Sequence, residues 1–231
     1  MATQTYDVIM IGAGHNGLVC AAYLLQAGYS VLLLEKRAIP GGAATTEAVM
    51  PDEAPGFKFN LCAIDHELIH LGPVVQELKL NQYGLEYLFC DPVVFCPHPD
   101  GRYFLAHRSL EQTCAEIARY SPRDAEKYRE FTTYWLRLVS ALAPLFNAPP
   151  RAILDIAGNY DIRKIKDLFG AVGSTQKALE FVRTMLTSAE DLLNEWFDSE
   201  LIKAPLARLC AEMGMASSQM NLAIGAMMMA M

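Results

Sequence analysis

The spacing of apolar positions changes period along this chain, and each change marks an element. Val8–Ile11 and Val31–Leu34 are short unbroken apolar runs, the pattern of parallel strands buried on both faces. Between them lies an Ala/Leu-rich segment with Leu18, Ala21, Ala22 and Leu25 at helical spacing. Gly28 stands where that helix should stop. Further on, Gly56–Cys62 alternates as a strand does, and residues 85–105 read as two strands around the turn His98-Pro99-Asp100-Gly101. From Ser109 the period is helical. Ser109 with Gln112 forms a capping box. Ser121, Pro122 and Asp124 mark another start, with proline at the first helical position, and Ser174 and Ser188 mark two more. The helix after Ser121 puts Tyr128, Phe131, Trp135, Leu138 and Leu142 on one face and Arg123, Glu126, Lys127, Glu130 and Arg137 on the other. That aromatic stripe reads as core; the sharper alternative is the lining of a tunnel for a long apolar molecule.

The loop between the first strand and the first helix is Gly12-Ala13-Gly14-His15-Asn16-Gly17, a G-x-G-x-x-G. Alone it is a weak signal, but here strand, helix and second strand are all in register, and Glu35 ends the second strand about 20 residues on. Gly12 permits the tight turn, Gly14 lets backbone approach a pyrophosphate, and Gly17 lets helix and strand pack closely. The helix N-terminus, at His15 and Asn16, supplies free N–H groups and partial positive charge. The Glu35 carboxylate would accept hydrogen bonds from an adenosine ribose and disfavours a 2′-phosphate, which points to FAD or NAD and not NADP.

Gly41-Gly42 follows after a proline, marking backbone that turns sharply or approaches something closely. Directly after a dinucleotide fingerprint, the doublet resembles the GG motif of the flavoprotein superfamily that includes amine oxidases and carotenoid desaturases. The family pattern is R-x-G-G-R-x-x-S/T. This chain has Ile39-Pro40-Gly41-Gly42-Ala43-Ala44-Thr45-Thr46, so both arginines are absent and Thr46 takes the hydroxyl place. The resemblance then leaves phosphate contacts to backbone amides and to Lys36 or Arg37.

IGAGHNGLVCAAYLLQAG, EKRAIPGGAATTEA, FNLCAIDHELIHLGPVVQEL, YGLEYLFCDPVVFCP, YSPRDAEKY and LNEWFDSELIKAPLARL together resemble a bacterial β-carotene ketolase of the phytoene-desaturase-like type. The resemblance implies FAD as cofactor, an apolar carotenoid as substrate and oxidation of the C4 methylene of a β-ionone ring. It also implies that Gly56–Cys62 passes near the flavin, where relatives often carry an acid at the place of Asn60. The expected architecture is α/β. Residues 1–75 are the N-terminal part of a Rossmann-like FAD-binding domain. Residues 76–231 are part of a substrate or cap domain, a hairpin followed by helices. Only two parallel strands are evident, so the sheet is expected to be incomplete and the chain to be the N-terminal portion of a longer flavoprotein. Other readings are a desaturase or amine oxidase of the same superfamily, or a non-catalytic fragment. No catalytic acid, base or nucleophile is assignable, and none is required where a flavin does the redox chemistry.

Composition narrows the class further. The net charge of −7 argues against a nucleic-acid partner. Six cysteines form no C-x-x-C pair, which suggests reduced thiols in a cytosol, and Cys20 in the fingerprint helix is expected as a small buried hydrophobe. The N-terminus runs straight into the first strand with no signal peptide, and no run of 18 apolar residues predicts a membrane span. A peripheral membrane contact would bring such an enzyme to its substrate. Beyond Glu212 there is no charge, and seven of the 11 methionines fall between 213 and 231. This tail reads as a core segment that, left uncovered, favours aggregation. His66-Glu67-Leu68-Ile69-His70 matches the zinc-protease pattern H-E-x-x-H. Gly72-Pro73 follows too soon for a long helix, so the two histidines are read as ordinary polar side chains and no metal site is predicted.

Overall fold

The computed structural model describes residues 4–63, 66, 68–146, 179, 183, 184, 186–212 and 216–219. They fall into two units, Met1–Glu86 and Tyr87–Met231.

In the first unit, β1 (Val8–Ile11) and β2 (Val31–Leu34) pair in parallel, with Val8 opposite Val31 and Ile11 opposite Leu34. The crossover between them is helix α1 (His15–Gln26). Its end is a Schellman motif: Tyr29 N–H reaches Leu24 C=O, Gly28 N–H reaches Leu25 C=O, and Gly28 supplies the left-handed φ of 90°. The expected stop at Gly28 is thus met.

The inward face of α1 differs from expectation. Ala21 is buried, whereas Leu18 and Leu25 are exposed, as is Cys20. The reason is the close approach of helix and strand at Gly17, where a Cβ would lie 2.3 Å from Gly12 O and 3.6 Å from Met10 Sδ. Only small residues fit that line of contact, so Gly17 and Ala21 face the sheet and the larger side chains turn away. β1 likewise buries one face only: Val8 and Met10 are half-buried, while Ile9 and Ile11 are exposed. In β2, by contrast, Val31, Leu32 and Leu33 are all half-buried and Leu34 is exposed.

The remaining elements of this unit are short. β3 (Thr46–Glu47) pairs antiparallel with β4 (Phe59–Asn60). The strand expected over Gly56–Cys62 is therefore two residues long, because Gly56 has a φ of 84° and closes a turn instead. Leu68–Leu71 is a 3-10 turn that begins after His66, α2 is Val74–Glu77, and a second 3-10 turn is Leu80–Tyr83. Glu67 of the H-E-x-x-H pattern lies outside the described residues.

In the second unit, β5 (Val94–Pro97) and β6 (Tyr103–Ala106) form an antiparallel hairpin. Its turn is closed by His98 N–H to Arg102 C=O, with Gly101 at a φ of 86°. The first strand starts later than expected, beyond Pro92, which has no N–H to give a ladder. Helices α3 (Leu110–Ala118), α4 (Pro122–Phe146), α5 (Ala189–Trp196) and α6 (Glu200–Glu212) follow. Three starts behave as the sequence indicates: Ser109 accepts from Gln112 N–H, Ser121 from Asp124 N–H, and Ser188 from Asp191 N–H. The stripe on α4 is core. Tyr128, Phe131 and Trp135 are buried, and the Phe131 ring meets Trp196 and Phe197 at centroid distances of 5.3 and 5.4 Å. The side chains of Leu138 and Leu142, the start at Ser174 and nearly all of the Met-rich tail lie outside the described residues.

One buried acid organises this unit. Asp124 is 1% exposed, and its two oxygens accept from Asp198 and Ser199 N–H at 3.1 and 2.9 Å. It thereby caps, from α4, the start of α6. All six cysteines are free, and no helix among the described residues is long and apolar enough to cross a membrane.

Candidate functional site

The three glycines of the G-x-G-x-x-G loop differ in why they are glycine. Gly12 sits at a φ of 102°, where the chain leaves β1 while its N–H still bonds Leu34 C=O at 2.7 Å. Gly17 is required by the 2.3 Å approach to Gly12 O. Gly14 has an ordinary φ of −69° and acts as N-cap of α1 without a side-chain cap. A Cβ placed on Gly14 would meet nothing nearer than Gly42 Cα at 3.8 Å. Nothing in the chain itself therefore demands glycine there, since that distance is an ordinary van der Waals contact.

Gly14 stands at a helix N-terminus. Leu18 N–H closes the first turn on Gly14 C=O, so the N–H groups of His15, Asn16 and Gly17 have no acceptor within the helix. The first turn contains no acid, and His15 and Asn16 are exposed. The arrangement presents amide donors and the positive end of the helix dipole to an anion.

Glu35 is tied into this loop. One carboxylate oxygen accepts from Ala13 N–H at 2.7 Å, the other from Arg37 N–H at 2.9 Å. These bonds, first from Arg37 and then from Ala13, hold its carboxyl below the ordinary glutamate range and keep it ionised. Ala13 is buried, and its C=O accepts from Gly41 N–H at 2.7 Å.

The glycine doublet thus docks on the phosphate loop backbone to backbone. Gly14 and Gly41 form a parallel β-bridge. Gly41 and Gly42 have φ of 123° and 62°, and a Cβ on Gly42 would fall 2.9 Å from Gly14 Cα. A 3-10 turn, Gly42–Ala44, leads from the doublet to β3.

Arg37, expected near phosphate, has its guanidinium on the Glu47 carboxylate at 2.5 Å to each oxygen, with a longer bond to Gly42 C=O at 3.4 Å. Glu47 is held below the usual carboxylate range by the Thr45 hydroxyl and by Arg37. Lys36 is exposed at the end of β2. Thr46 is exposed on β3 opposite Asn60, whereas the Thr45 hydroxyl donates toward Gly42 C=O and Glu47. Thr45 and Glu47 are the members of this cluster that sequence alone does not single out. The one signal for them is an opposite charge ten residues from Arg37, which no local rule of spacing picks up.

Residues 10–73 match the family model described as NAD(P)-binding Rossmann-like domain. The N-terminal unit has the Rossmann-like dinucleotide-binding fold. The chain is also similar to three named proteins. Over 87% of its length it is 30% identical to pyridine nucleotide-disulfide oxidoreductase domain-containing protein 2 of Rattus norvegicus, covering 36% of that protein. Over 67% it is 37% identical to a limonene dehydrogenase subunit of Castellaniella defragrans, covering 27%. Over 62% it is 30% identical to prolycopene isomerase 2, chloroplastic, of an Oncidium hybrid cultivar, covering 24%. The chain therefore spans about a third or less of these relatives. The Rossmann-like unit accounts for the fingerprint, for Glu35 and for the docking of the doublet.

Proposed function

We propose that the Rossmann-like unit binds FAD and that the protein it belongs to is an FAD-dependent oxidoreductase acting on an apolar isoprenoid. The observation that carries cofactor binding is Gly14. It alone of the three fingerprint glycines has no conformational or packing reason within the chain, and it stands at an uncapped helix N-terminus. A pyrophosphate would approach the bare Gly14 backbone and accept from the first-turn amides. Glu35, already ionised, keeps acceptor directions for ribose hydroxyls and repels a 2′-phosphate. Bound FAD supplies two-electron oxidation. The chain's own part is to bind and orient it.

The substrate class rests on the sequence resemblance to carotenoid ketolases and on two relatives whose names specify isoprenoid hydrocarbons, limonene and prolycopene. The reading at its finest is 4-ketolation of β-carotene, at a membrane surface where such a substrate is held. A second reading, dehydrogenation of a terpenoid, is favoured by the higher identity to the limonene dehydrogenase subunit.

The test is Gly14→Ser. Serine is as good an N-cap as any residue, so the fold should be kept. Its hydroxyl would fill the phosphate space and occupy an amide. Wild-type protein should bind FAD and the variant should not, with equal urea midpoints. Flavin retained at wild-type affinity by the variant would defeat the assignment. Supplying β-carotene or limonene to the flavin-bound protein separates a ketone product from one with an added double bond.

A further inference from the structure

We propose that Arg37 and Glu47 form a charged clamp that sets the Gly41–Gly42 turn against the phosphate loop. Arg37 is then a positioning residue for the dinucleotide and not a phosphate ligand. The proposal rests on the reading that this unit binds FAD.

The contacts close a ring. Glu35 accepts from Ala13 N–H and Arg37 N–H. Ala13 C=O accepts from Gly41 N–H. The next carbonyl, that of Gly42, accepts from the Arg37 guanidinium and from the Thr45 hydroxyl at 3.2 Å. Arg37 returns the ring to Glu35 through its own amide. Glu47 fixes the orientation of this ring from outside, since it holds Arg37 through both oxygens and accepts from Thr45 as well. The planar guanidinium puts Nη2 on both Glu47 oxygens and Nη1 toward Gly42 C=O at once, a fixed pairing that a lysine ammonium would not impose.

Two consequences follow for the site. The Arg37 charge is matched by Glu47, whose hydrogen bond and then whose charge hold Arg37 more firmly protonated. A pyrophosphate approaching it would meet the repulsion of the Glu47 carboxylate held on Nη2. The positive field at the phosphate space then comes from the α1 N-terminus and loop amides. The family pattern places arginines where this chain has Ile39 and Ala43. Here the arginine stands two residues before Ile39, and its task becomes holding the doublet. Both partners are partly exposed, at 45% and 24%, so the pair contributes little to global stability. Its effect is local: Gly42 stays close enough to Gly14 that a Cβ on Gly42 would fall 2.9 Å from Gly14 Cα.

The experiment uses Arg37→Met, Glu47→Met, the double variant and Glu47→Gln, in the purified protein. FAD affinity is measured at several salt concentrations, and amide hydrogen exchange over residues 37–47 is measured without FAD. For a clamp, each methionine variant should weaken FAD binding by about tenfold, and the double variant should be no weaker than either single one. The Glu47→Gln variant, which keeps acceptors for Thr45 and Arg37, should recover most of the loss. The salt dependence of binding should stay as in wild type, because no phosphate-neutralising charge has been removed. Exchange at Gly41 should quicken in both single methionine variants. Binding lost in Arg37→Met but kept or strengthened in Glu47→Met, with a shallower salt dependence and unchanged exchange, would overturn the clamp and make Arg37 a ligand. A folded wild type that binds no FAD would remove the cofactor reading, while the exchange data would still decide whether the clamp exists.

Discussion

Replacing Gly17 by alanine tests the packing of the Rossmann-like unit, because two known effects oppose each other there. In an exposed helix the change would stabilise by about 1 kcal/mol, since alanine loses less backbone entropy and favours helix. At Gly17 the new Cβ would lie 2.3 Å from Gly12 O, about 0.7 Å inside the closest approach that real Cβ atoms make. The obstacle is backbone, held by the Gly12 N–H bond to Leu34, so it cannot rotate aside as a side chain would. Forcing a methyl group into such a contact costs about 1–3 kcal/mol, toward the upper end where the neighbour is rigid. The net expectation is a loss of about 1–2 kcal/mol after the helix gain is subtracted. The helix must also tilt away from β1, which moves its first-turn amides and weakens FAD binding. Urea unfolding followed by far-UV circular dichroism gives the midpoint, and flavin titration gives the affinity. Gly28→Ala is the control: that glycine also has a strained φ, 90°, but nothing within 4 Å, so it should lose stability without losing flavin. A Gly17→Ala protein that is more stable than wild type and binds flavin normally would refute the packing argument.

Two further outcomes are expected. Asp124→Ala leaves the Asp198 and Ser199 amides without their acceptor and should cost about 2–4 kcal/mol, with Asp124→Asn recovering part of it; thermal melts showing a change under about 1 kcal/mol would contradict the cap. Asp7, Glu35, Glu47, Asp100, Glu111 and Glu195 all have carboxyls held below their ordinary values by hydrogen bonds. Their contribution is full above the unfolded-state pKa of about 4 and lost as pH falls through the folded values, so the urea midpoint should fall steadily on acidification below about pH 4. A midpoint that is flat or rises over that range would speak against these bonds.

Much of both units is legible in the sequence where the signals are local. The strands, α1, the stop at Gly28 and the helix starts at Ser109, Ser121 and Ser188 each depend on residues within a few positions of one another. What escapes is set by tertiary approach. Hydrophobicity alone turns Leu18 and Leu25 inward on α1, while the distance to β1 admits only Gly17 and Ala21. Alternation overstates the strand at Phe59–Asn60, because it continues through residues whose backbone turns at Gly56. Arg37 with Glu47, Ala13 with Glu35, and Asp124 with Asp198 join residues 10, 22 and 74 positions apart, and periodicity carries no trace of them.

The double service of Glu35 bears on any attempt to change which dinucleotide this fold accepts. One such step is to remove the acid at the end of the second strand, whose charge disfavours a 2′-phosphate. In this molecule that step would also strip the Ala13 and Arg37 amides of their acceptor and slacken both glycine loops together. A successful redesign would have to provide a neutral acceptor in the same place, such as glutamine, before adding positive charge beside it. On the proposed reading, selectivity and loop order meet in one side chain, so a change to the first must also preserve the second.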